Sequence, residues 1–471
     1  MTKQIHLAAH FPGVNNHTVW SDPQAGSQIA FSSFAHLART AERGRFDFFF
    51  LAEGLRVREH HGRLHELDVA GRPNTTAVLA ALASVTDRIG LAGTLSTTFN
   101  EPYELARQIA SLDHLSGGRA AWNAVTSPDA FTGANFRRGG YLDPSLRYSR
   151  AREFALTVRE LWDSWAADDL VGDRGTGRFL RRGEAGSFAH AGDQFDIAGR
   201  FAVPPSPQRH PVVLQAGDSE GGREFAAAAA DVAFTRHSGF EDGQAYYVDV
   251  KRRLARYGRA PEDLKILPGA TFALGDTEAE AQELAAHVRR QQVSPATAIL
   301  LLELVWNRDL SGYDPDGPLP QVDPDLSGEP TVLRGRVGPT DPAATARKWR
   351  ALAEERQLSI RDLVIEVTGR QSFIGTPAHV AAEIDRYVQN DAADGFILVP
   401  HLIPGGLDPF VDQVIPLLQE RGVFRAEYTS DTLRGHLGLG PARPATAWAA
   451  ASAHPPRDRT DAPAATATDS P

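Results

Sequence analysis

Residues 88–127, RIGLAGTLSTTFNEPYELARQIASLDHLSGGRAAWNAVTS, constrain the fold more than any other stretch. They read as strand, helix, strand. The first strand, IGLAGTLSTT, carries no charge after Arg88, which is the composition of a parallel strand covered on both faces. Pro102 suits a first helical turn, and Leu105, Ile109, Leu112 and Leu115 recur at a helical period until Gly117 and Gly118 stop the helix. The second strand, AAWNAVTS, ends like the first in hydroxyl and amide side chains. Dry strand bodies with wet C-terminal ends mark the place where α/β folds hold their ligands.

The same alternation runs through the chain. QIHLAAHF, FDFFFLAE, PVVLQAG, VAFTRHS, KILPGATFAL and DGFILVPHL are further apolar runs, separated by helical patterns such as SFAHLARTAERG and AYYVDVKRRLARYG. Eight βα units predict a TIM-like (β/α)8 barrel with its site at the strand C-termini. A long insertion between strands 7 and 8, about residues 290–372, has a Pro, Gly and Asp-rich middle and is expected to act as a lid. Ser32 or Ser33 is expected to cap the first helix, and residues 171–207 to form a β-hairpin excursion. Residues 1–440 are thus expected to be a single barrel domain. The Ala, Pro and Thr-rich stretch 441–471 is expected to be a disordered tail.

Composition narrows the function. A formal charge of −10, with no basic block to offset it, argues against nucleic acid as a main partner. The absence of cysteine excludes disulfides, thiolate catalysis and sulfur-ligated metals. The N-terminus MTKQIHLAAHF lacks the apolar core of a signal peptide, and no apolar run is long enough to cross a bilayer. A cytoplasmic enzyme with no membrane association is the expectation.

Several residues invite a chemical role. Glu53 puts a carboxylate at the C-terminal end of FDFFFLAE, a ligand-site position in a barrel. His60, His61 and His65 suggest a metal, but no HExxH pattern accompanies them, and a solvated or substrate-facing loop is the preferred reading. Arg147 and Tyr148 open a long amphipathic helix, where they serve either an anionic or aromatic ligand or a structural cap. In QAGDSEGGREF, Gly217, Gly221, Gly222 and Ser219 form a strand-to-helix turn that suits a phosphate, although Asp218 would repel one unless it points away. The turn is neither a Walker loop nor GxGxxG.

Taken together, residues 88–127, RYSRAREF, VVLQAGDSEGGREFAA and the segment from AADGFILVPHL to TSDTLRGHLGL resemble the flavin-dependent monooxygenases of the bacterial luciferase superfamily. The resemblance lies with the branch of nitrilotriacetate, dibenzothiophene-sulfone and long-chain alkane monooxygenases and pristinamycin synthase subunits, and it extends to about Leu439. It implies an enzyme that receives reduced FMN from a separate NAD(P)H:FMN reductase. With O2 the flavin would form a C4a-(hydro)peroxide, which oxygenates a small organic substrate in a dry pocket. A homo-oligomer, dimer or tetramer, is also implied. The same barrel admits two alternatives, a deazaflavin F420-dependent oxidoreductase and a catalytically silent flavin-binding protein.

By motif position the resemblance implies cofactor contacts from Glu53, Thr94, Asn123, Ser127, Arg147, Tyr148 and Ser219, with Ser219 at the phosphate. Glu53 stands where relatives generally carry Asp, Pro144 where several carry His, and Ser21 where many carry Arg. His17 and His237 are the candidate catalytic groups, since an imidazole near a strand end can move a proton or steer a carboxylate. No metal is expected.

Overall fold

The computed structural model describes residues 2–15, 17–65, 72–127, 130–136, 146–236, 239–327, 333–334, 338–339, 341–368 and 372–452. Eight parallel strands are β1 (His6–Phe11), β2 (Phe48–Leu51), β3 (Gly90–Ser96), β4 (Ala120–Val125), β5 (Val212–Ala216), β6 (Val232–Thr235), β7 (Lys265–Leu274) and β8 (Gly395–Leu398). They pair in sequence order and close where β8 meets β1, giving the expected barrel. Around it run α1 (Phe31–Arg43), α2 (Thr75–Ala83), α3 (Pro102–Ser116), α4 (Arg147–Asp163), α5 (Glu220–Ala229), α6 (Phe240–Leu254) and α7 (Glu278–Gln292).

The period of two along each strand sorts the core into two layers. Phe48 and Phe50 of β2 join Ala8, Ala92, Ala121, Val212, Leu214, Leu267 and Ile397 inside the barrel. Phe49 and Leu51 of the same strand pack outward against the helices. Leu433 and Leu437 plug the N-terminal end so closely that a Cβ on Gly90 would lie 2.6 Å from the Leu433 side chain. The next inward positions toward the C-terminal end, including His10, Thr94 and Asn123, border open space.

Three aspartates repeat one device at the barrel base. Asp47, Asp231 and Asp394 each precede a strand and accept an amide of the neighbouring strand: Leu7 N at 2.9 Å, Val213 N at 2.9 Å and Ile266 N at 2.8 Å. Their countercharges are Arg425 at 2.5 Å, Arg434 at 3.1 Å and Lys251 at 2.9 Å. Burial alone would raise these carboxyls, yet the cations and amides hold all three below the ordinary range.

The insertion between β7 and β8 carries α8 (Pro295–Trp306), α9 (Pro342–Arg356) and α10 (Ile360–Val367), packed on their own apolar cluster around Leu300, Trp306, Leu310, Ile360 and Leu363. Leu304 reaches from α8 to the barrel mouth.

Three expectations are corrected. The first helix starts after Ala30 without a side-chain cap, and Ser27 Oγ, rather than Ser32 or Ser33, accepts the Ala30 amide at 2.9 Å. The 171–207 excursion is two antiparallel pairs, Leu170–Asp173 with Arg178–Leu180 and Ser187–Ala191 with Asp196–Arg200, because turns at both 174–177 and 192–195 reverse the chain. The tail is ordered over its first part: a helix spans Ala445–Ser452, with Trp448 buried, its indole bonded to Ala228 O and under the Arg159 guanidinium. One buried tryptophan outweighs the polar composition around it. Residues 453–471 lie outside the described residues. Among the described residues no helix is long and apolar enough to cross a membrane.

Asp47→Ala leaves Arg425 without its buried partner and frees the Leu7 amide, so it should cost about 3–5 kcal/mol in urea unfolding.

Candidate active site

The C-terminal mouth of the barrel opens into a cavity of about 530 Å³. That is ample for a flavin ring or a substrate of similar size. Its floor is made of inward strand positions, among them His10, Phe50, Thr94, Asn123, Phe234 and Val399.

Thr94 and Asn123 are directly opposed across β3 and β4. Asn123 Nδ2 donates to Thr94 Oγ1 at 2.8 Å, and Asn123 Oδ1 is buried with no partner among the described residues. An unpartnered buried acceptor is costly and marks a place where a ligand N–H or O–H fits. Glu53, just beyond β2, accepts the Ser96 amide at 3.0 Å through Oε2. Ser96 Oγ donates to Ser127 Oγ at 3.2 Å, and the Ser127 amide donates to Thr98 Oγ1 at 3.1 Å. Glu53 and Ser127 share a side pocket with Arg56, Arg58 and Arg72.

A second group lies outside that lining, at the turn following Ala216. Ser219 caps α5 and accepts the Gly222 amide at 3.2 Å. Tyr148, on the first turn of α4, brings its hydroxyl to 2.8 Å from Ser219 Oγ. The glycines of the turn make room for this ring: a Cβ at Gly221 would lie 2.8 Å from Tyr148 Cδ2, and one at Gly222 would lie 2.7 Å from Gly217 O. Arg147 stacks on Tyr148, its guanidinium carbon 4.8 Å from the ring centroid. Burial pushes the Asp218 carboxyl up, against the pull of Arg236 and Arg223.

His17 lines the cavity from the loop after β1, and its carbonyl accepts Gln292 Nε2 at 2.6 Å. His237 and Pro144 lie outside the described residues. Arg56, Arg58, Arg72 and Arg236, all on the cavity wall, went unrecognised in the sequence. For Arg56 and Arg58 the signal was the run RVR within GLRVREHHGR, shortly after Glu53.

A model of the luciferase-like monooxygenases matches residues 14–394. The chain belongs to this family. N-acetyl-S-(2-succino)cysteine monooxygenase of Bacillus subtilis (strain 168) is 39% identical over 443 residues, 93% of this chain and 97% of the relative. Nitrilotriacetate monooxygenase component A of Aminobacter aminovorans is 39% identical over 457 residues, 94% of this chain and 97% of the relative. Among solved structures, a riboflavin lyase with modified FMN and substrate riboflavin is 28% identical with a TM-score of 0.75, over 95% of this chain and 99% of that one. The protein is a luciferase-like monooxygenase.

Among the described residues, the monooxygenase keeps one acid, Glu53, in its cavity wall. Burial raises this carboxyl to about 7, opposed only by the Ser96 amide. Protonated Glu53 therefore favours the folded chain, fully below about 4.5, and that contribution is lost as pH rises through about 7. Glu53→Gln removes the titration. In chemical denaturation the variant should gain on the order of 2–3 kcal/mol relative to wild type between pH 5 and pH 8; parallel pH profiles would show that the carboxyl titrates normally.

Proposed function

We propose that the monooxygenase accepts reduced FMN as a co-substrate from a separate NAD(P)H:FMN reductase and oxygenates a small carboxylate-bearing substrate. The observation that carries the flavin reading is the Tyr148–Ser219 pair at the N-terminus of α5. There two hydroxyls, free helix amides and the favourable dipole end converge on the space a phosphate would take. The residues present suit FMN in a second way, because Asn123 Oδ1 needs a donor such as a flavin N–H. Bound reduced flavin would supply the electrons with which O2 gives one oxygen atom to the substrate and releases the other as water.

The chain's own part is to bind, orient and keep dry. Tyr148, Ser219 and Arg147 would hold the phosphate; Thr94 and Asn123 would meet the ring edge. Glu53 and Ser127 stand beside the cavity wall that carries the arginines, and Leu304 would shield the mouth from water. His17 is the candidate for proton delivery. A separate reductase is supported by the relative named as component A of nitrilotriacetate monooxygenase.

The substrate class rests on charge. Among the described residues that line the cavity, Arg56, Arg58, Arg72 and Arg236 accompany one acid, Glu53. Guanidinium forks match carboxylates in a bidentate manner, and both relatives above are named for carboxylate-bearing compounds.

Anaerobic titration should detect saturable binding of reduced FMN, weakened about tenfold or more in Tyr148→Phe and Ser219→Ala. Affinity unchanged in both variants would remove the cradle from cofactor binding, and turnover with reduced F420 in place of FMN would favour the deazaflavin alternative. With a reductase and O2, a panel pairing polycarboxylates with neutral sulfones and alkanes should yield oxygenated product from the carboxylates alone. Arg58→Met should then raise KM more than it lowers kcat, leaving reduced FMN affinity intact.

A further inference from the structure

We propose that His60, His61 and Glu303 form a binding site for one divalent transition-metal ion of the zinc class, which ties the loop after β2 to the insertion helix α8. The site is independent of the flavin reading.

The histidines sit on a tight hairpin. Glu59–His60 pairs antiparallel with Arg63–Leu64, and both residues between them have positive φ, His61 at 50° and Gly62 at 72°. Such a two-residue reversal turns the chain back at once, so adjacent imidazoles can converge. The two rings are 4.3 Å apart between centroids. Glu303 comes from α8, two hundred and more residues away, and the Glu59–His60 strand also pairs, on its other edge, with Leu333–Arg334 of the same insertion.

His60 Nε2, His61 Nε2 and a Glu303 carboxylate oxygen all lie within 4.8 Å of one another. His61 Nε2 is 3.4 Å from Glu303 Oε2, and His60 Nε2 contacts the same oxygen. Donor atoms on a common zinc ion are separated by about 3.3 Å, so a small rearrangement, with His60 and Glu303 parting to admit the ion, would bring all three to one centre. Asp309, 3.8 Å from His61 Nε2, borders the open side where water or this carboxylate would complete the shell.

A second observation concerns charge. The Glu303 side chain is fully buried, with Oε1 accepting the Leu310 amide at 2.6 Å, yet no lysine or arginine pairs with it among the described residues. A buried carboxylate needs a positive partner. A dication held by two imidazoles and this carboxylate provides one. Two nitrogen donors and one oxygen select zinc, cobalt or nickel over magnesium and calcium, which take oxygen shells. The position gives the ion a structural consequence: Leu304, next to Glu303, and Arg58, two residues before His60, both line the cavity. An ion here would clasp the wall of the cavity to the insertion that covers it.

The test uses the untagged full-length chain, stripped with chelator, and Zn2+ or Co2+ alone as probe. Calorimetry should find one equivalent of Zn2+ bound, and Co2+ should develop the visible absorption of a low-coordinate nitrogen and oxygen site. His61→Ala, at an exposed position, should fold normally by circular dichroism and lose affinity by more than about 100-fold, beyond the loss of an outer-shell partner. Glu303→Gln keeps the side-chain shape and should lose affinity in the same way. Saturating Zn2+ should raise Tm in wild type and not in His61→Ala. Binding that survives both substitutions, or no saturable binding at all, would reduce the cluster to an ion pair only and overturn the proposal.

Discussion

Register at the barrel base governs everything above it. A slip of one residue between neighbouring parallel strands would send every inward side chain out to the helices. Asp47, Asp231 and Asp394 oppose such a slip by bonding an amide of the adjoining strand while each is itself held by a cation from elsewhere in the chain. The clasp draws on burial twice: the low dielectric strengthens each pair, and it makes an unpaired member costly. With register set below, Thr94 faces Asn123 above, four residues along β3 from its first position.

Stability and function divide along the barrel axis. The lower layers are filled with Ala, Phe, Val, Leu and Ile, and the end is plugged by Leu433 and Leu437. The upper layer gives up that packing for a cavity whose walls carry the unpartnered Asn123 Oδ1 and the raised Glu53 carboxyl. Both features cost folding free energy, and both are ready for a ligand. A site whose polar groups were already satisfied would have less to gain from binding.

What could be read from the sequence follows from distance along the chain. The barrel, its eight strands and the insertion before the last strand were legible, because period and punctuation are local. Thr94 and Asn123 were legible too, at the wet ends of consecutive strands. The contact of Tyr148 with Ser219 was not: seventy-one residues separate them, and the glycines that admit the tyrosine ring looked like a phosphate cradle alone. The arginine wall hid beside a more conspicuous histidine run. Those histidines lacked a visible carboxylate because theirs, Glu303, arrives from the insertion 243 residues later than His60. The tail misled for the opposite reason, since composition averages away a single buried tryptophan.

Glu53 also bears on what the arginines are for. A carboxylate paired with guanidinium groups is ordinarily held below its usual range. Glu53 shares its pocket with Arg56, Arg58 and Arg72, yet burial raises it to about 7 against the pull of the Ser96 amide. A Glu53 partly protonated near neutral pH repels an incoming anion less than a full carboxylate would. The proposed carboxylate substrate fits such a wall, because guanidinium groups stand beside an acid whose charge burial weakens, and their forks can meet carboxylates in a bidentate manner.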